Sequence, residues 1–267
     1  MLWVSYPQDD PLLQQILRGQ VGEAVQARRR LADLGGSDDA AQKQALLAKA
    51  EVAVEQARIA ADLLVFAWLD GESPAEREKL RRRNLSDVTG GDVDWDKLRA
   101  RVREKRRKRS PLHWPLAFPE VFLDGAAGAG GGFDAVVGNP PFLGGQKLTG
   151  VFGKPFREWL VEVLGGGVRG SADFVAYFFL RAWRLLRPGG AMGLLATNTI
   201  AQGDTREVGL DQLVADGASI FRARASMPWP GEANLEVAVV HAVRGPWAGE
   251  RSQPVPVGHP RARDARV

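Results

Sequence analysis

Residues 133–142 read Phe-Asp-Ala-Val-Val-Gly-Asn-Pro-Pro-Phe, and the prediction of the fold starts from them. Its first half is short and apolar and is followed by glycine and two prolines, which is typical of a buried β-strand that ends in a tight turn. Further strand patterns lie at 191–197, 220–225 and 235–243, and helix patterns separate the first three strands. We therefore predict an α/β sheet that ends in a β-hairpin.

The chain before this stretch has the period of helices. Between residues 37 and 69, apolar residues recur every three or four positions, which predicts a helix about 50 Å long that is capped by Ser37. An apolar stripe at 12–21 predicts an earlier helix, and the Gly35-Gly36 pair predicts a turn between the two helices. Together they predict an antiparallel helical hairpin. The capping box at 73–76 predicts a third helix, and residues 92–108 predict a fourth.

Three connecting segments have other compositions. Residues 113–122 are aromatic and interrupted by prolines, which excludes a regular helix. The glycines and alanines at 125–132 precede a strand, whereas a dinucleotide-binding turn follows one, so we interpret them as a flexible connector. Ser171 is expected to cap a helix that residues 187–190 terminate. We predict a helical packing or insertion region at 1–110, a catalytic region at 111–245 and a Pro/Arg-rich tail at 246–267.

Composition excludes several classes of protein. The 267 residues include no cysteine, which excludes disulfides and cysteine-based sites, and the three scattered histidines make no zinc site. No apolar run reaches the ~20 residues that span a bilayer, and no signal peptide is recognisable, so we expect a cytoplasmic protein. Nine basic residues and one acid between Lys97 and Arg109 suit either a phosphate backbone or a solvated helix end.

The turn Asn139-Pro140-Pro141-Phe142 is the candidate for chemistry. It follows a strand at its carboxyl end, where open α/β sheets bind ligands. The prolines hold the Asn139 amide oxygen and a backbone carbonyl of the turn as two acceptors, which match the two hydrogens of an exocyclic amine. Phe142 can stack on the ring that bears the amine, and a base in duplex DNA must first be flipped out. The alternative is a tight turn with a structural role alone.

These residues resemble the amino-methyltransferase superfamily, whose catalytic motif reads Asn/Asp/Ser-Pro-Pro-aromatic. Residues 133–142 match its adenine-N6 form, and residues 113–122 resemble the segment that precedes the motif in type IIG restriction-modification enzymes and in BREX-type phage-exclusion methyltransferases. Residues 173–203 and 229–237 resemble the following helix, strand, loop and final hairpin. The resemblance covers about residues 10–245 and implies a partial Rossmann-like methyltransferase sheet.

The resemblance implies roles for individual residues. Asn139 and Pro140 would accept hydrogen bonds from an adenine amine, Pro141 would hold the turn, and Phe142 would stack on the flipped base. S-adenosylmethionine would be the cofactor and double-stranded DNA the partner, in restriction-modification or phage defence. Lys147, Lys154 and Arg157 would contact phosphates or serve as ordinary surface charges. Trp229 would line the base pocket or have a core or turn role.

We find no pattern for two parts of the family arrangement. The family binds S-adenosylmethionine through an earlier strand and a Phe-x-Gly-x-Gly turn, and no such unit precedes Asn139, so no cofactor-binding residue is assigned. The resemblance places a specificity domain after the final hairpin, and we expect none in this chain. We therefore expect the middle of a larger or split enzyme, completed by a separate cofactor-binding half, with weak or no cofactor binding by this chain alone. Residues 133–137 would then form an unpaired apolar sheet edge.

Two alternatives stay open. RNA guanine-N2 and protein glutamine methyltransferases share the Asn-Pro-Pro-aromatic motif, but they lack the long helical region of residues 10–110. A catalytically inactive fragment or a nucleic-acid-binding subunit would use the basic run at 97–109, and DNA binding without methylation would favour it.

Overall fold

The structure is a computed structural model, and it describes residues 22–31, 33–34, 40–122, 131–229 and 236–249. The predicted α/β class is confirmed, since helices accompany a four-stranded mixed sheet. The chain divides into two compact units. Unit 1 comprises Met1–Gly132 and Thr149–Gly167, and unit 2 comprises Phe133–Leu148 and Val168–Val267. The sequence predicted region boundaries after residues 110 and 245. Those regions were defined by sequence pattern, whereas the two units are defined by compactness, so the predicted boundaries stay predictions.

Unit 1 is helical. Its helices are α1 (22–31), α2 (Ala40–Ala53), α3 (Glu55–Asp70), α4 (Pro74–Thr89), α5 (Trp95–Arg106), α6 (Trp114–Ala117) and α7 (Pro119–Phe122). Helix α8 (Gly145–Phe152) crosses the boundary from unit 2 into unit 1, and α9 (Lys154–Trp159) continues as a π-helical turn, Leu160–Leu164.

The long helix predicted over 37–69 is interrupted. Helix α2 ends at Ala53, and Val54 adopts φ −100° and ψ 3° before α3 begins. Val54 is fully buried in a cluster of mostly small apolar side chains that includes Ala24, Ala57 and Leu116. The break thus allows both helices to bury their small faces in one cluster, which periodicity alone could not predict. Ser37, Gly35-Gly36 and the stripe at 12–21 lie outside the described residues.

The other helical predictions are confirmed in outline. Ser73 caps α4 by accepting a hydrogen bond from the Glu76 N–H at 3.2 Å, and Asp94 caps α5. Residues 113–122 form two single turns, α6 and α7, instead of a regular helix. His113 Nε2 lies 2.9 Å from Oδ1 of the buried Asp62, which anchors this segment to α3. The connector at 125–132 lies mostly outside the described residues.

Unit 2 contains the sheet. Its strands are β1 (Phe133–Gly138), β2 (Leu186–Thr197), β3 (Ala218–Pro228) and β4 (Glu236–Arg244), and their order is β1-β2-β4-β3. Strands β1 and β2 are parallel, whereas β2 with β4 and β4 with β3 are antiparallel, so the predicted terminal hairpin is confirmed. Helix α10 (Phe174–Leu185) leads into β2, and α11 (Gly203–Arg206), a π-helical turn (Glu207–Asp211) and α12 (Gln212–Ala215) lead into β3.

Strand β1 differs from the buried strand that its sequence predicts. Among the described residues it pairs with β2 alone, and the side chain of Val137 is 85% exposed. The prediction of burial was wrong, because a valine-rich run is typical of strands that are covered on both faces, whereas Val137 is exposed on one face of β1. Within the part of the chain that the structure describes, β1 is an edge strand of the sheet.

Helix α10 begins later than predicted. Asp173, and not Ser171, is its N-cap residue, and the Asp173 side chain makes no capping hydrogen bond. The helix ends at Leu185, so residues 187–190 belong to the start of β2 instead of to a terminating turn. Gly189 has φ +76°, and the β1–β2 register shifts opposite this segment, between Phe133 and Ala135.

Candidate functional site

The Asn139-Pro140-Pro141-Phe142 turn lies directly after β1, at the carboxyl end of the strand. Gly138 is the last residue of the strand and pairs with Leu194 of β2. Asn139 is exposed, whereas Pro140 is buried. Phe142 is half-buried. The turn therefore presents the polar Asn139 side chain to solvent, and the buried ring of Pro140 anchors it.

The end of β2 lies at the same edge of the sheet, because the two strands are parallel. Strand β2 continues three residues beyond Leu194, to Thr197. Thr197 and Thr199 form a hydroxyl–hydroxyl hydrogen bond of 2.6 Å. Asn198 between them donates to Glu236 Oε2 at 3.3 Å, and Glu236 begins β4. Both carboxyl ends of the parallel pair thus carry exposed or half-buried polar side chains.

Asp173 joins the two loops. Its Oδ1 accepts from the Gly145 N–H at 3.2 Å, three residues after Phe142, and its Oδ2 accepts from Thr199 Oγ1 at 2.5 Å. The backbone adds a second link, since the Leu143 carbonyl accepts from Phe174 N–H at 2.9 Å. One carboxylate therefore holds the segment behind the Asn-Pro-Pro-Phe turn against the loop that follows β2.

The amide of Asp173 is held as well. It donates to Thr205 Oγ1 at 3.0 Å, and the neighbouring Ser171 N–H donates to Asp204 Oδ2 at 2.5 Å. Thr205 and Asp204 both lie in α11. The start of α10 is thus tied to α11 through its backbone, while the Asp173 side chain remains available to the two loops.

Gly145 permits this close approach. A Cβ at this position would lie 2.2 Å from the Ser171 carbonyl oxygen, which is backbone and cannot rotate away. Gly145 is also buried at the first residue of α8. The position therefore excludes every residue that has a side chain.

Sequence reasoning missed Asp173, Thr199 and Gly145 as members of this site. The available signals were the Gly144-Gly145 pair after the motif and the Thr-Asn-Thr run at the end of a strand. Neither signal shows that Asp173 is the shared partner, because Asp173 lies 28 residues from Gly145 and 26 residues from Thr199 in the sequence.

The basic residues assigned to phosphate contact fall in both units. Lys147 is exposed on the part of α8 that belongs to unit 2, whereas Lys154 and Arg157 lie on α9 in unit 1. Lys154 Nζ lies 3.8 Å from Glu158 and is 76% exposed. Arg157 is half-buried. Trp229 is half-buried directly after β3. Their predicted contacts stay predictions.

The described residues before β1 do not include the cofactor-binding unit that the sequence resemblance implies. Before β1, over residues 22–31, 33–34 and 40–122, the structure contains helices and turns but no strand, hence no strand–glycine turn–helix unit. No group of three metal-ligating side chains occurs within the described ranges. None of the helices in those ranges is long and apolar enough to cross a bilayer.

Two solved structures are similar to this chain. The chain is similar to the type IIL restriction-modification enzyme MmeI, solved in complex with DNA, at 20% identity and a TM-score of 0.37, over 43% of this chain and 16% of that one. It is also similar to a putative class I S-adenosylmethionine-dependent methyltransferase from Listeria monocytogenes, at 12% identity and a TM-score of 0.36, over 91% of each chain. The matched part of this chain thus covers about a sixth of the length of MmeI.

A search of curated proteins found no match. The family model for the Eco57I restriction-modification methylase matches residues 42–216. That range covers more than half of the chain and includes α3, α4, α5, β1, the Asn-Pro-Pro-Phe turn, α10 and β2. The chain therefore belongs to the Eco57I restriction-modification methylase family.

Proposed function

We propose that this chain is the catalytic-motif half of an adenine-N6 DNA methyltransferase that serves restriction-modification or phage defence. The observation that carries the proposal is the exposed Asn139 beside the buried Pro140, at the carboxyl end of a strand within the family match. An amide at that place can meet a base that has left the duplex, because the carboxyl ends of strands are where open α/β sheets bind ligands.

The turn supplies two acceptors and a ring. The Asn139 side-chain oxygen and the Pro140 carbonyl accept the two hydrogens of the adenine amine, which draws the nitrogen toward a tetrahedral geometry with an available lone pair. Pro141 restricts the turn, and Phe142 stacks on the flipped base. The amine becomes a better nucleophile without a strong base.

We infer that the cofactor site is completed by another segment or chain. The sequence resemblance implies S-adenosylmethionine as methyl donor, and the described residues before β1 lack the strand and glycine turn that would hold it. The chain alone is expected to bind the cofactor weakly or not at all. Double-stranded DNA is the proposed partner of the assembled enzyme.

The test is methylation in a bacterial host that lacks adenine methylation. The full chain is expressed alone and together with a cofactor-binding half encoded beside its gene, and genomic DNA is sequenced by a single-molecule method that detects N6-methyladenine. We expect methylated adenine at one sequence motif when both halves are present.

Two variants make the test specific to the site. Asn139→Ala should abolish methylation, whereas Asn139→Asp should retain a fraction, because a carboxylate keeps the acceptor oxygens. Both should unfold at the temperature of the original chain, since Asn139 is exposed. Undiminished methylation by Asn139→Ala, or none when a cofactor-binding half is present, would contradict the proposal.

The described residues before β1 lack the strand and glycine turn that would bind the cofactor. Their absence there favours a second candidate, a nucleic-acid-binding subunit or an inactive fragment. DNA binding without methylation, even beside a cofactor-binding half, would identify that candidate. Methylated guanine in RNA, or methylated glutamine in protein, would instead identify the other substrates of the Asn-Pro-Pro-aromatic motif.

A further inference from the structure

Helix α5 and the turn after it carry the nine basic residues between Lys97 and Arg109. The structure divides these cations into two groups. Four of them form ion pairs with carboxylates of unit 1: Arg99 with Glu55 at 2.8 Å, Arg101 with Asp87 at 2.9 Å, Arg106 with Asp62 at 2.5 Å, and Lys105 with Asp70. These pairs connect α5 to α3 and α4, so they neutralise the inner cations and have a structural role.

We call the remaining five cations the outer cationic stripe: Lys97, Arg103, Arg107, Lys108 and Arg109. All five are exposed, and no carboxylate within the described residues lies at ion-pair distance from any of them. Arg103 and Arg107 are four residues apart, about 6 Å along the helix. They line one shallow depression along α5. No ion pair with a described carboxylate therefore neutralises the outer cationic stripe.

The side chains around the stripe indicate the kind of ligand. Within the depression the apolar member is Ala100, and the acidic members are Asp96, which pairs with Arg99, and Glu104. A surface without large apolar or aromatic groups does not insert into a membrane and offers no ring on which unpaired bases can stack. Three of the five cations are arginines, whose planar guanidinium groups bind phosphate through two hydrogen bonds.

We propose that the outer cationic stripe binds the phosphate backbone of double-stranded DNA without reading its sequence. The choice of duplex DNA as the ligand rests on the proposed function. The location of the site rests on the observation that four of the nine cations form ion pairs and five do not. Contacts of this kind release counterions and position a protein on the duplex, while sequence is read elsewhere. The helical unit would thus supply affinity for DNA independently of the Asn139 turn.

The test compares two double variants of the full chain. Arg103→Gln with Arg107→Gln removes two unpaired cations. The matched control, Arg82→Gln with Arg206→Gln, removes two exposed cations that are paired with Glu78 and Asp211. Binding to a short labelled duplex of mixed sequence is measured by fluorescence anisotropy between about 50 and 200 mM salt. In a plot of log K against log salt concentration, the magnitude of the slope should fall by about 2 for Arg103→Gln with Arg107→Gln. The slope should stay unchanged for the control.

Three results would overturn the proposal: equal slopes for the two double variants, no DNA binding by the original chain at low salt, or stronger competition by duplex RNA than by duplex DNA. The assay contains no methyl donor, so its result is independent of catalysis. Equal slopes would not contradict the proposal about Asn139. A failure of methylation would not contradict the proposal that the outer cationic stripe binds DNA.

Discussion

At the scale of the residue, Asp173 is the side chain on which the geometry of the candidate site depends. It accepts from Gly145 and Thr199 and so joins the loops that follow the two parallel strands. Asp173→Ala should lower the free energy of unfolding by about 2 kcal/mol, because hydrogen bonds to a charged group contribute about 1.5–3 kcal/mol each and water replaces part of them. It should also reduce methylation by the assembled enzyme.

Denaturant unfolding measures the first effect. Asp134→Ala is the control, since Asp134 is 83% exposed and pairs only at the surface with Arg187, and it should change stability by less than about 0.5 kcal/mol. Equal losses for the two variants would show that Asp173 does not hold the loops.

Arg181 is a second residue with a measurable consequence. It lies buried in α10, and burial, followed by the nearby charge of Arg184, lowers its pKa to about 9. The unfolded chain holds this proton more tightly than the native state does, so the cost of the buried charge is full below about pH 9 and falls as pH rises above it. Arg181→Met should therefore raise the unfolding midpoint at pH 7 and raise it less at pH 10.

Thermal melts at the two pH values check this prediction. Arg187→Met serves as the control, because Arg187 is 48% exposed and its replacement removes no buried charge. A lower midpoint for Arg181→Met at pH 7 would show that the protein compensates the buried guanidinium fully.

At the scale of the element, local patterns predicted most helices and strands, whereas long-range contacts decided how they end. The capping box at Ser73 and the strand patterns of β1 to β4 depend on neighbours in sequence, and they were confirmed. The break at Val54 depends on a cluster that includes Ala24 and Leu116, which lie far away in the chain.

The same limit applies to the candidate site and to α5. The Asn-Pro-Pro-Phe turn could be predicted because it is contiguous. Asp173 could not, because its partners lie 26 and 28 residues away. Nine basic residues were visible in the sequence of α5, but the ion pairs that neutralise Arg99 and Arg106 each join residues 44 positions apart.

At the scale of the whole molecule, the family match includes residues of both units. It begins within α2 and ends within the turn after α12, so it includes most of the helical unit and the first two strands of the sheet. Strands β3 and β4 lie beyond it. The helical unit is therefore part of the family pattern, which agrees with a role for α5 in the same enzyme.

Strand β1 has a consequence for the behaviour of the whole chain in solution. An exposed apolar edge recruits other strands, and Val137 is 85% exposed on such an edge. Val137→Lys should reduce self-association, measured by sedimentation velocity over a range of concentrations. The control is Val214→Lys, which changes a valine that is 53% exposed on α12, away from the edge. Equal sedimentation of the two variants would contradict this prediction.

Gly145 connects the structure with the history of the gene. Every change in the first two bases of a glycine codon introduces a side chain or stops translation, and a Cβ here would meet the Ser171 carbonyl oxygen at 2.2 Å. A lineage in which the folded chain is used must therefore discard these changes, while a lineage in which the gene is a relic accumulates them freely. Synonymous drift at this codon, without replacement, would be the mark of a gene still under selection.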